Sequence, residues 1–419
     1  MTSEIKQRIE QINNEQVPEG YFRTTAGIIP QEWRISPLGS LLEFKNGVNA
    51  DKGKYGSGIK MISVMDVLKN TPIHYNDIIG QVDIDENTLN TYCVNYGDIL
   101  FQRSSETAED AGKSNVYLDN EKTTYSGFVI RGKKKADYCP YFLNEALKKE
   151  EVRKQLIRNA AGSQHINIGQ ESLEKTEVCL PSATEQEKIA EILMKWDKAI
   201  ELQEKTIEKL HTKRDAVVQR VIKKKEGWHK EILSNILVER TEFATKEDGY
   251  PHASLTMDGV TQKTDRYNRD FLVKSDDKKY KVTHYNDICY NPANLKFGVI
   301  CVNKYENDAI FSPIYITYEV NPQYNTDFIG SILCSADFIR YIRKYEEGTV
   351  YERQAVKSSD LLRGVIWVPD TKEEQDQIAS IISEINTYIQ KQVDYCNSLK
   401  QQRKALQQYL LNGIVRVEV

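Results

Sequence analysis

At 419 residues the chain is long enough for two or three domains, and with 40% hydrophobic and 28% charged residues it has the composition of a folded protein. Its apolar runs are far shorter than the roughly 18 residues of a membrane span, and residues 1–10 lack a signal-peptide core, so we expect a soluble, cytoplasmic protein. The net charge of −4 argues against nucleic-acid binding through overall basicity and leaves only a local basic face or a basic partner.

The first part of the chain is predicted to be globular. Residues 1–29 form an N-terminal segment, and residues 30–181 form a domain of mixed helix and strand that begins near Trp33. Short alternating apolar runs separated by Gly, Asn and Asp turns predict its strands, and a helix is predicted near 141–158.

Residues 182–225 form the first of two long helical segments. Ser182 and Glu185 have the spacing of a capping box, in which a hydroxyl and a carboxylate satisfy amide groups of the first turn. Seam residues then alternate in steps of four and three, which is typical of a coiled coil. The predicted seam of this helix consists of Ile189, Leu193, Trp196, Ile200, Gln203, Ile207, Leu210, Arg214, Val217 and Val221.

Residues 226–369 repeat the outline of the first domain but not its interior. Trp228 takes the place of Trp33, and Tyr285-Asn-Asp287-Ile takes the place of Tyr96-Gly-Asp98-Ile. A helix is predicted near 326–345, and the two aspartates are expected to be turn residues. The two domains are therefore expected to share a frame and to differ in content.

Residues 370–419 form the second long helical segment, in which residues 374–411 align without a gap on residues 185–222 at an offset of 189 residues. Thr371 and Glu374 repeat the capping spacing, and Asn412-Gly413 is a typical helix stop. The second seam consists of Ile378, Ile382, Ile385, Ile389, Gln392, Cys396, Leu399, Arg403, Leu406 and Leu410.

The order of these segments predicts the fold class. A compact second domain returns the chain to the point where it entered, so the second helix must run antiparallel to the first. We expect an α+β fold in which two mixed α/β domains are joined by two long antiparallel coiled-coil helices, in a pseudo-twofold, near-circular arrangement. The N-terminal segment would pack near the C-terminus, and Arg403 would stack on Trp196 in the seam.

Several short motifs, in this order, carry a family resemblance. They are Gly20 to Trp33 and Glu226 to Trp228, Gly97 to Phe101 followed by Arg103-Ser104-Ser105, Gly162 to Ile168 before Leu180-Pro181, and the two Glu-Gln-x-x-Ile-Ala helices. With these motifs the chain resembles, over almost its whole length, the specificity subunit of type I restriction-modification enzymes. Such enzymes are a system of defence against foreign DNA.

The resemblance implies a function in DNA recognition. Each domain would be a target-recognition domain that reads one half of an asymmetric, bipartite site in double-stranded DNA. The helices would set the spacing and dock two adenine methyltransferase subunits and, through them, the restriction motor-nuclease subunits. S-adenosylmethionine, ATP and magnesium would belong to those partners, so this chain would have no catalytic residue, metal or cofactor.

Two other functions remain open from the residues themselves. Asn291-Pro292 partly matches the motif with which adenine methyltransferases bind the flipped base. A DNA methyltransferase with unrecognised motifs is therefore one alternative. A coiled-coil scaffold without a DNA role is the other. Pro369-Asp370-Thr371-Lys372 resembles a nuclease site, but its counterpart Pro181-Ser182 lacks the carboxylate and also precedes a helix, which favours a cap.

Candidate DNA contacts are Arg, Lys, Asn, Gln and His side chains in turn-like places, because such side chains match base edges or phosphates. In the first domain they are Arg103, Lys113, Gln164, His165 and Asn167, with Lys133 and Lys134 in a basic run. In the second domain they are Asn291, Asn294, Lys296, Arg353 and Gln354.

Overall fold

The computed structural model describes residues 2–160, 162, 166–256, 259–262, 279–346 and 355–417. The chain divides into two compact units, which are residues 1–204 with 395–419, and residues 205–394. Each unit therefore contains one globular domain and a part of both long helices. None of the described helices combines the length and the apolar character that crossing a membrane requires.

The first unit begins with the N-terminal segment and ends in a long helix. Its helices are α1 (Ser3–Asn13), α2 (Leu38–Leu41), α3 (Val64–Val67), α4 (Glu86–Thr91), α5 (Pro140–Ala146), α6 (Glu150–Arg158), α7 (Gln170–Lys175) and the start of α8 (Ala183–Val221). Its strands are β1 (Tyr21–Thr24), β2 (Gly27–Pro30), β3 (Arg34–Pro37), β4 (Leu42–Asn46), β5 (Tyr55–Ile62), β6 (Gln81–Val82), β7 (Ile99–Gln102), β8 (Ser104–Ser105), β9 (Ser114–Val116), β10 (Thr124–Tyr125), β11 (Val129–Lys134), β12 (Ile166–Asn167) and β13 (Glu177–Leu180).

The second unit also consists of short helices and strands together with parts of both long helices. Its helices are α9 (Leu233–Ile236), α10 (Thr326–Leu333), α11 (Ala336–Ile342), α12 (Ser358–Leu361) and most of α13 (Lys372–Leu411), whose last part belongs to the first unit. Its strands are β14 (Trp228–Ile232), β15 (Leu237–Glu239), β16 (Phe243–Ala244), β17 (Ala253–Thr256), β18 (Gly259–Gln262), β19 (Tyr280–Thr283), β20 (Ile288–Tyr290), β21 (Ile300–Val302), β22 (Ala309–Phe311), β23 (Ile316–Val320) and β24 (Val365–Pro369).

Each unit contains its own four-stranded antiparallel sheet, and the two sheets have equivalent strand orders. The strand order is β4-β11-β7-β9 in the first unit and β15-β23-β20-β21 in the second. The strand that opens each domain also pairs with the strand that closes it, β3 with β13 and β14 with β24. This pairing brings the two ends of each domain together beside the long helix that follows. The predicted common frame of mixed helix and strand is confirmed within each unit.

The helices predicted near 141–158 and 326–345 are each broken into two. The first consists of α5 and α6, and the second of α10 and α11. In the second unit the hydroxyl of Ser335 accepts a 3.2 Å hydrogen bond from the backbone N–H of Phe338 and caps α11. A serine inside an apolar periodic pattern thus starts a new helix.

The predicted hydroxyl caps of the long helices are present. Ser182 accepts a hydrogen bond of 3.2 Å from the backbone N–H of Glu185, and Thr371 accepts one of 3.3 Å from that of Glu374. The two carboxylates bind other partners: Glu185 accepts from the Arg416 guanidinium at 2.7 Å, and Glu374 from the Trp228 indole at 3.1 Å. They hold the helix start against the rest of its unit instead of closing a capping box.

The glutamine that follows each of these glutamates joins the long helix to its domain. Gln186 is buried and accepts a 3.0 Å hydrogen bond from the backbone N–H of Cys139, the residue that caps α5. Gln375 is also buried and accepts at 2.9 Å from the N–H of Asn325, which caps α10. Equivalent glutamines thus satisfy the first free amide of equivalent helices.

The N-terminal segment lies against the chain's C-terminal part in the first unit. The Tyr21 hydroxyl donates to the carbonyl of Gly413 at 2.6 Å, and Arg8 donates to that of Ile414 at 2.7 Å. Gly413, two residues after the end of α13, has a φ of +64°, as the predicted helix stop requires.

The seam side chains lie on the inner faces of the long helices. Nineteen of the twenty are buried or half-buried. Val217 is the exception, because it is exposed like Met194, Leu202 and Tyr388, which lie outside the seam. In the first unit the helices run antiparallel, because Arg403 contacts Asp197 and Lys400 contacts Glu204.

The predicted stacking of Arg403 on Trp196 is wrong. The Arg403 guanidinium instead binds Asp197 at 2.8 Å and the buried Glu145 of α5 at 2.7 Å. Burial by itself would raise the pKa of Glu145, but the charges of Lys148 and Arg403 outweigh it and hold that pKa below its usual value. An ionised carboxylate attracts the guanidinium more strongly than an indole ring does, so the ion pairs determine the geometry.

We expect the Gln186→Leu and Gln375→Leu variants each to lower the free energy of unfolding by about 1–3 kcal/mol, because each leaves a backbone N–H without its acceptor. Chemical denaturation would measure the loss. Gln219→Leu and Gln408→Leu are matched controls at exposed positions of the same helices and should change stability little. Equal effects at all four positions would contradict a specific role of the buried pair.

The Glu145→Gln variant should lose stability in a pH-dependent way. Because the folded-state pKa of Glu145 is lowered, its carboxylate stabilises the protein above its unfolded pKa of about 4.3, and this advantage disappears as the pH falls through the folded value. We expect a deficit of about 2 kcal/mol near pH 7 that shrinks toward pH 3, measured by urea unfolding. Glu150→Gln, which removes an exposed ion pair with Lys154, should show almost no deficit.

Candidate nucleic-acid interface

Three segments meet where the central strand β7 of the first unit ends. The backbone N–H of Arg103, directly after β7, donates to the carbonyl of Phe128 at 2.9 Å, and its carbonyl accepts from Ile168 at 3.0 Å. Lys113 lies beside them, because its carbonyl accepts from Gln102 at 2.8 Å. We call this region the first strand-end surface and define it by Arg103, Lys113, Phe128 and Asn167.

The second unit has an equivalent surface after β20. The carbonyl of Pro292, 189 residues after Arg103, accepts a 3.2 Å hydrogen bond from the N–H of Val356, as Arg103 does from Ile168. Strand β23 pairs with β20 as β11 pairs with β7. This pairing places the turn before β23 next to the end of β20, as the turn before β11 lies next to the end of β7. We define the second strand-end surface by Asn291, Asn294, Lys296 and Ile314.

Two of the candidates in the first unit present hydrogen-bonding groups at this surface. Arg103 is half-exposed, and its guanidinium makes one long contact of 3.4 Å to the carbonyl of Gly127. No ion pair involves Arg103 in the part of the chain that the structure describes. The Asn167 side chain accepts a short hydrogen bond from the Ser104 hydroxyl across the β8–β12 pair. Arg103 therefore retains donors for a base edge or a phosphate.

Lys113 is exposed but already paired. Its ammonium group lies 2.5 Å from Asp110, and its hydrogen bond, with one from Thr107, lowers the pKa of that carboxyl. Binding of a phosphate by Lys113 would have to compete with this carboxylate. An exposed ion pair of this kind contributes little free energy, so a phosphate could displace Asp110 from Lys113 at little cost.

Lys133 and Lys134 do not lie at the first strand-end surface. They occupy the far end of β11, and Lys133 is about 13 Å along the strand from Val129, which pairs with Gln102. Lys134 has partners inside its own domain: its backbone N–H donates to Asp98 at 2.9 Å and its ammonium to Tyr138 at 3.0 Å.

The candidates of the second unit differ in exposure. Asn291 is buried, and its side-chain oxygen accepts a 3.1 Å hydrogen bond from the N–H of Ala293, which closes a turn. Asn294 is exposed and starts a short 3-10 helix, in which the ammonium of Lys296 lies 5.2 Å from the Phe297 ring. Asn294 and Lys296 thus project from the surface that Asn291 supports.

The four remaining candidates, Gln164, His165, Arg353 and Gln354, lie outside the described residues. The segments that contain them lead into Ile168 and Val356, the residues that hydrogen-bond to the strand-end surfaces.

The repeated aspartates are buried turn residues, in agreement with the sequence interpretation. Asp98 accepts from the N–H of Asn95 at 3.0 Å, and Asp287 accepts from that of His284 at 2.8 Å, three residues earlier in each case. Burial raises the pKa of both carboxyls, against the lowering effect of these hydrogen bonds. They fix the turns that start β7 and β20, at the opposite end from the strand-end surfaces.

The chain is similar to known proteins along almost its whole length. The family described as "Type I restriction modification DNA specificity domain" matches residues 30–212. A protein of Methanocaldococcus jannaschii, assigned as the specificity subunit of the type I restriction enzyme MjaX, is 23% identical over 440 aligned positions, which cover 96% of this chain and 97% of that protein.

Two solved structures share the fold. The S subunit of a type I restriction-modification system from M. genitalium superposes with a TM-score of 0.50 at 14% identity and covers 92% of this chain and 96% of that one. A chain from a structural study of complex assembly and conformational transition in the type I system gives a TM-score of 0.59 at 12% identity, covering 92% and 99%.

The duplicated sheet with its two long helices is therefore the fold of a type I specificity subunit. With the domain match over residues 30–212 and the full-length relative, the chain is similar to specificity subunits of type I restriction-modification enzymes along almost its whole length.

Substitutions of Asn291 and Asn294 should distinguish the residue that stabilises the turn from its exposed neighbour. We expect Asn291→Ala to lower the free energy of unfolding by about 1 kcal/mol, because the N–H of Ala293 loses its acceptor. Asn294→Ala, its exposed neighbour in the same turn, should leave stability unchanged. Thermal or chemical unfolding of the two variants tests this, and equal stabilities would contradict the turn role of Asn291.

Proposed function

We propose that this chain is the DNA-recognition subunit of a type I restriction-modification complex and that each domain reads one half of an asymmetric, bipartite site. The observation that carries the proposal is the repetition of one sheet frame with two different strand-end surfaces. Equal frames can approach DNA in equal ways, whereas different side chains at the same place read different bases. The expected target consists of two unlike half-sites with an unread gap between them.

The side chains at the strand-end surfaces suit the reading of bases. Arg103 can donate two hydrogen bonds to the O6 and N7 atoms of guanine, and the exposed amide of Asn294 can bind adenine in the same bidentate way. Lys113 and Lys296 supply positive charge for phosphates, which positions a domain without specifying the sequence. Local positive charge of this kind is compatible with the net charge of −4.

We propose that the long helices set the spacing of the half-sites and dock two adenine methyltransferase subunits. Helices α8 and α13 contain 39 and 40 residues, which correspond to about 60 Å at 1.5 Å per residue. In the second unit Ile381 and Tyr388 are exposed one heptad apart on α13, outside the buried seam. A contiguous exposed apolar patch is typical of a protein-binding surface, and these two side chains would contribute to one.

The chemistry of the complex would belong to its other subunits. Methyltransferase subunits would bind S-adenosylmethionine and methylate adenine, and motor-nuclease subunits would use ATP and magnesium and cleave unmodified DNA. The present chain would work in the cytoplasm without a cofactor of its own. Adenine methylation by the purified chain with S-adenosylmethionine would overturn this division of labour.

Exchange of residues 30–181 for the same region of a relative tests the proposed function directly. Cells that express the chimera and the methyltransferase subunit would be analysed by sequencing of methylated adenines. We expect only one half of the modified site to change, because the second domain is untouched. An unchanged site, or a changed protein partner with no methylation, would instead favour a scaffold.

Arg103→Ala should relax specificity at one position of the first half-site. We expect binding of the assembled methyltransferase complex to weaken by about 1–3 kcal/mol on the best site and to lose its preference at that base pair. Competition with oligonucleotides substituted one base pair at a time would measure both effects. Arg158→Ala, at an exposed position of α6, is the matched control. A uniform loss on all sequences would show that Arg103 contacts only phosphate.

A further inference from the structure

Two equivalent turns expose a large apolar side chain. Phe128 is 65% exposed and Ile314 is 62% exposed, and each is the third residue of a four-residue turn that begins with a serine. The turns are closed in the same way, by hydrogen bonds of 2.9 Å from Val129 to Ser126 and 3.0 Å from Tyr315 to Ser312.

The sheet registers establish that the two positions correspond. Ile130 pairs with Phe101 in the first unit, and Ile316 pairs with Tyr290 in the second, where Tyr290 is the repeat equivalent of Phe101. Phe128 lies two residues before Ile130, and Ile314 lies two residues before Ile316, so the two residues occupy equivalent positions in their sheets. Sequence comparison had missed them, because this segment repeats at an offset of 186 residues rather than 189 and its residues differ.

Solvent exposure of one apolar side chain is common on protein surfaces and has no meaning alone. Here the exposure occurs twice, in turns whose sequences, Ser-Gly-Phe and Ser-Pro-Ile, otherwise share only the serine. A solvated turn has no need of a large apolar side chain, because leaving it in water forgoes the free energy of burial. The repetition points to a ligand that meets both units in the same way.

Both side chains are held on rigid backbone at the strand-end surfaces. The carbonyl of Phe128 accepts from the N–H of Arg103, and Gly127 packs so closely on Asn49 that a Cβ would lie 1.8 Å from its amide oxygen. In the second unit Pro313 restricts φ before Ile314, and continuation of the register places Pro292 opposite Ile314. A firmly held apolar tip is suited to insertion into a ligand.

The surroundings favour DNA over a protein as that ligand. Phe128 lies beside Arg103, and in the second unit Asn294 and Lys296 follow Pro292, the residue that the register places opposite Ile314, so polar side chains accompany both apolar positions. A protein-docking face would be a contiguous apolar patch. Proteins that bend DNA insert single Phe, Leu, Ile, Met or Pro side chains between base steps, next to polar contacts.

We propose that Phe128 and Ile314 are apolar wedges, each of which partly unstacks one base step in its own half-site. The inference rests on the proposed function, because it requires a half-site for each unit. Each wedge would open the base stack next to the bases that the neighbouring polar side chains read. The unstacking cost depends on the step, so each wedge would favour flexible pyrimidine–purine steps without a hydrogen bond to them.

The test uses the chain assembled with its methyltransferase subunits and DNA that carries 2-aminopurine at successive positions of each half-site. Apart from the target adenine that the methyltransferase subunits would extrude, we expect binding to raise the fluorescence at one step in each half-site. Phe128→Ala should abolish the rise in the first half-site only and Ile314→Ala in the second only, each with about tenfold weaker binding. Phe128→Leu should retain most of the signal.

Matched controls and separate readouts distinguish the possible results. Ile79→Ala and Val238→Ala remove exposed apolar side chains elsewhere in the two units and should leave fluorescence and affinity unchanged. Unchanged fluorescence and affinity in the Phe128 and Ile314 variants would overturn the wedges while specific binding by the wild type upholds the proposed function. Loss of subunit assembly in gel filtration would identify a protein-docking role and also overturn them. Absence of sequence-specific binding by the wild type would overturn both.

Discussion

The contact on which each unit depends is the hydrogen bond between a buried glutamine of a long helix and the amide that starts the domain's own helix. Gln186 and Gln375 make this contact with Cys139 and Asn325. A buried amide without an acceptor is costly, so the first turns of α8 and α13 are fixed against the domains that precede them. The seam beyond those turns can determine where helices lie only because their starting directions are already fixed.

The same repeated arginine is used differently in the two units. Arg403 enters a buried network with Asp197 and Glu145, whereas Arg214 pairs with the exposed neighbour Asp215. The first unit thus stabilises its helix pair on the domain with charge-assisted hydrogen bonds. The second relies on apolar packing such as the edge-to-face contact of Trp228 with Phe328. Equal positions in a repeat do not imply equal interactions.

The division between constant frame and variable surface also explains the functional layout. The sheet registers and the buried turn aspartates are repeated, so both units present the end of the central strand in the same way. The side chains that follow differ, as Arg103 against Pro292 illustrates. In the proposed function, the apolar side chains of Phe128 and Ile314, which both surfaces share, would contact the base stack that all DNA has. The polar side chains that differ between the surfaces would distinguish the bases.

The sequence alone determined the duplication and the two long helices with their hydroxyl caps and seam, because these features depend on local periodicity and spacing. Only the tertiary structure decided which candidates lie together: it grouped Arg103, Lys113 and Asn167 but placed Lys133 at the far end of β11. It also replaced the expected stacking of Arg403 on Trp196 by ion pairs with residues of two other helices. Pairing between strands and contacts across a core join residues distant in sequence, and no local pattern records which partner a side chain will meet.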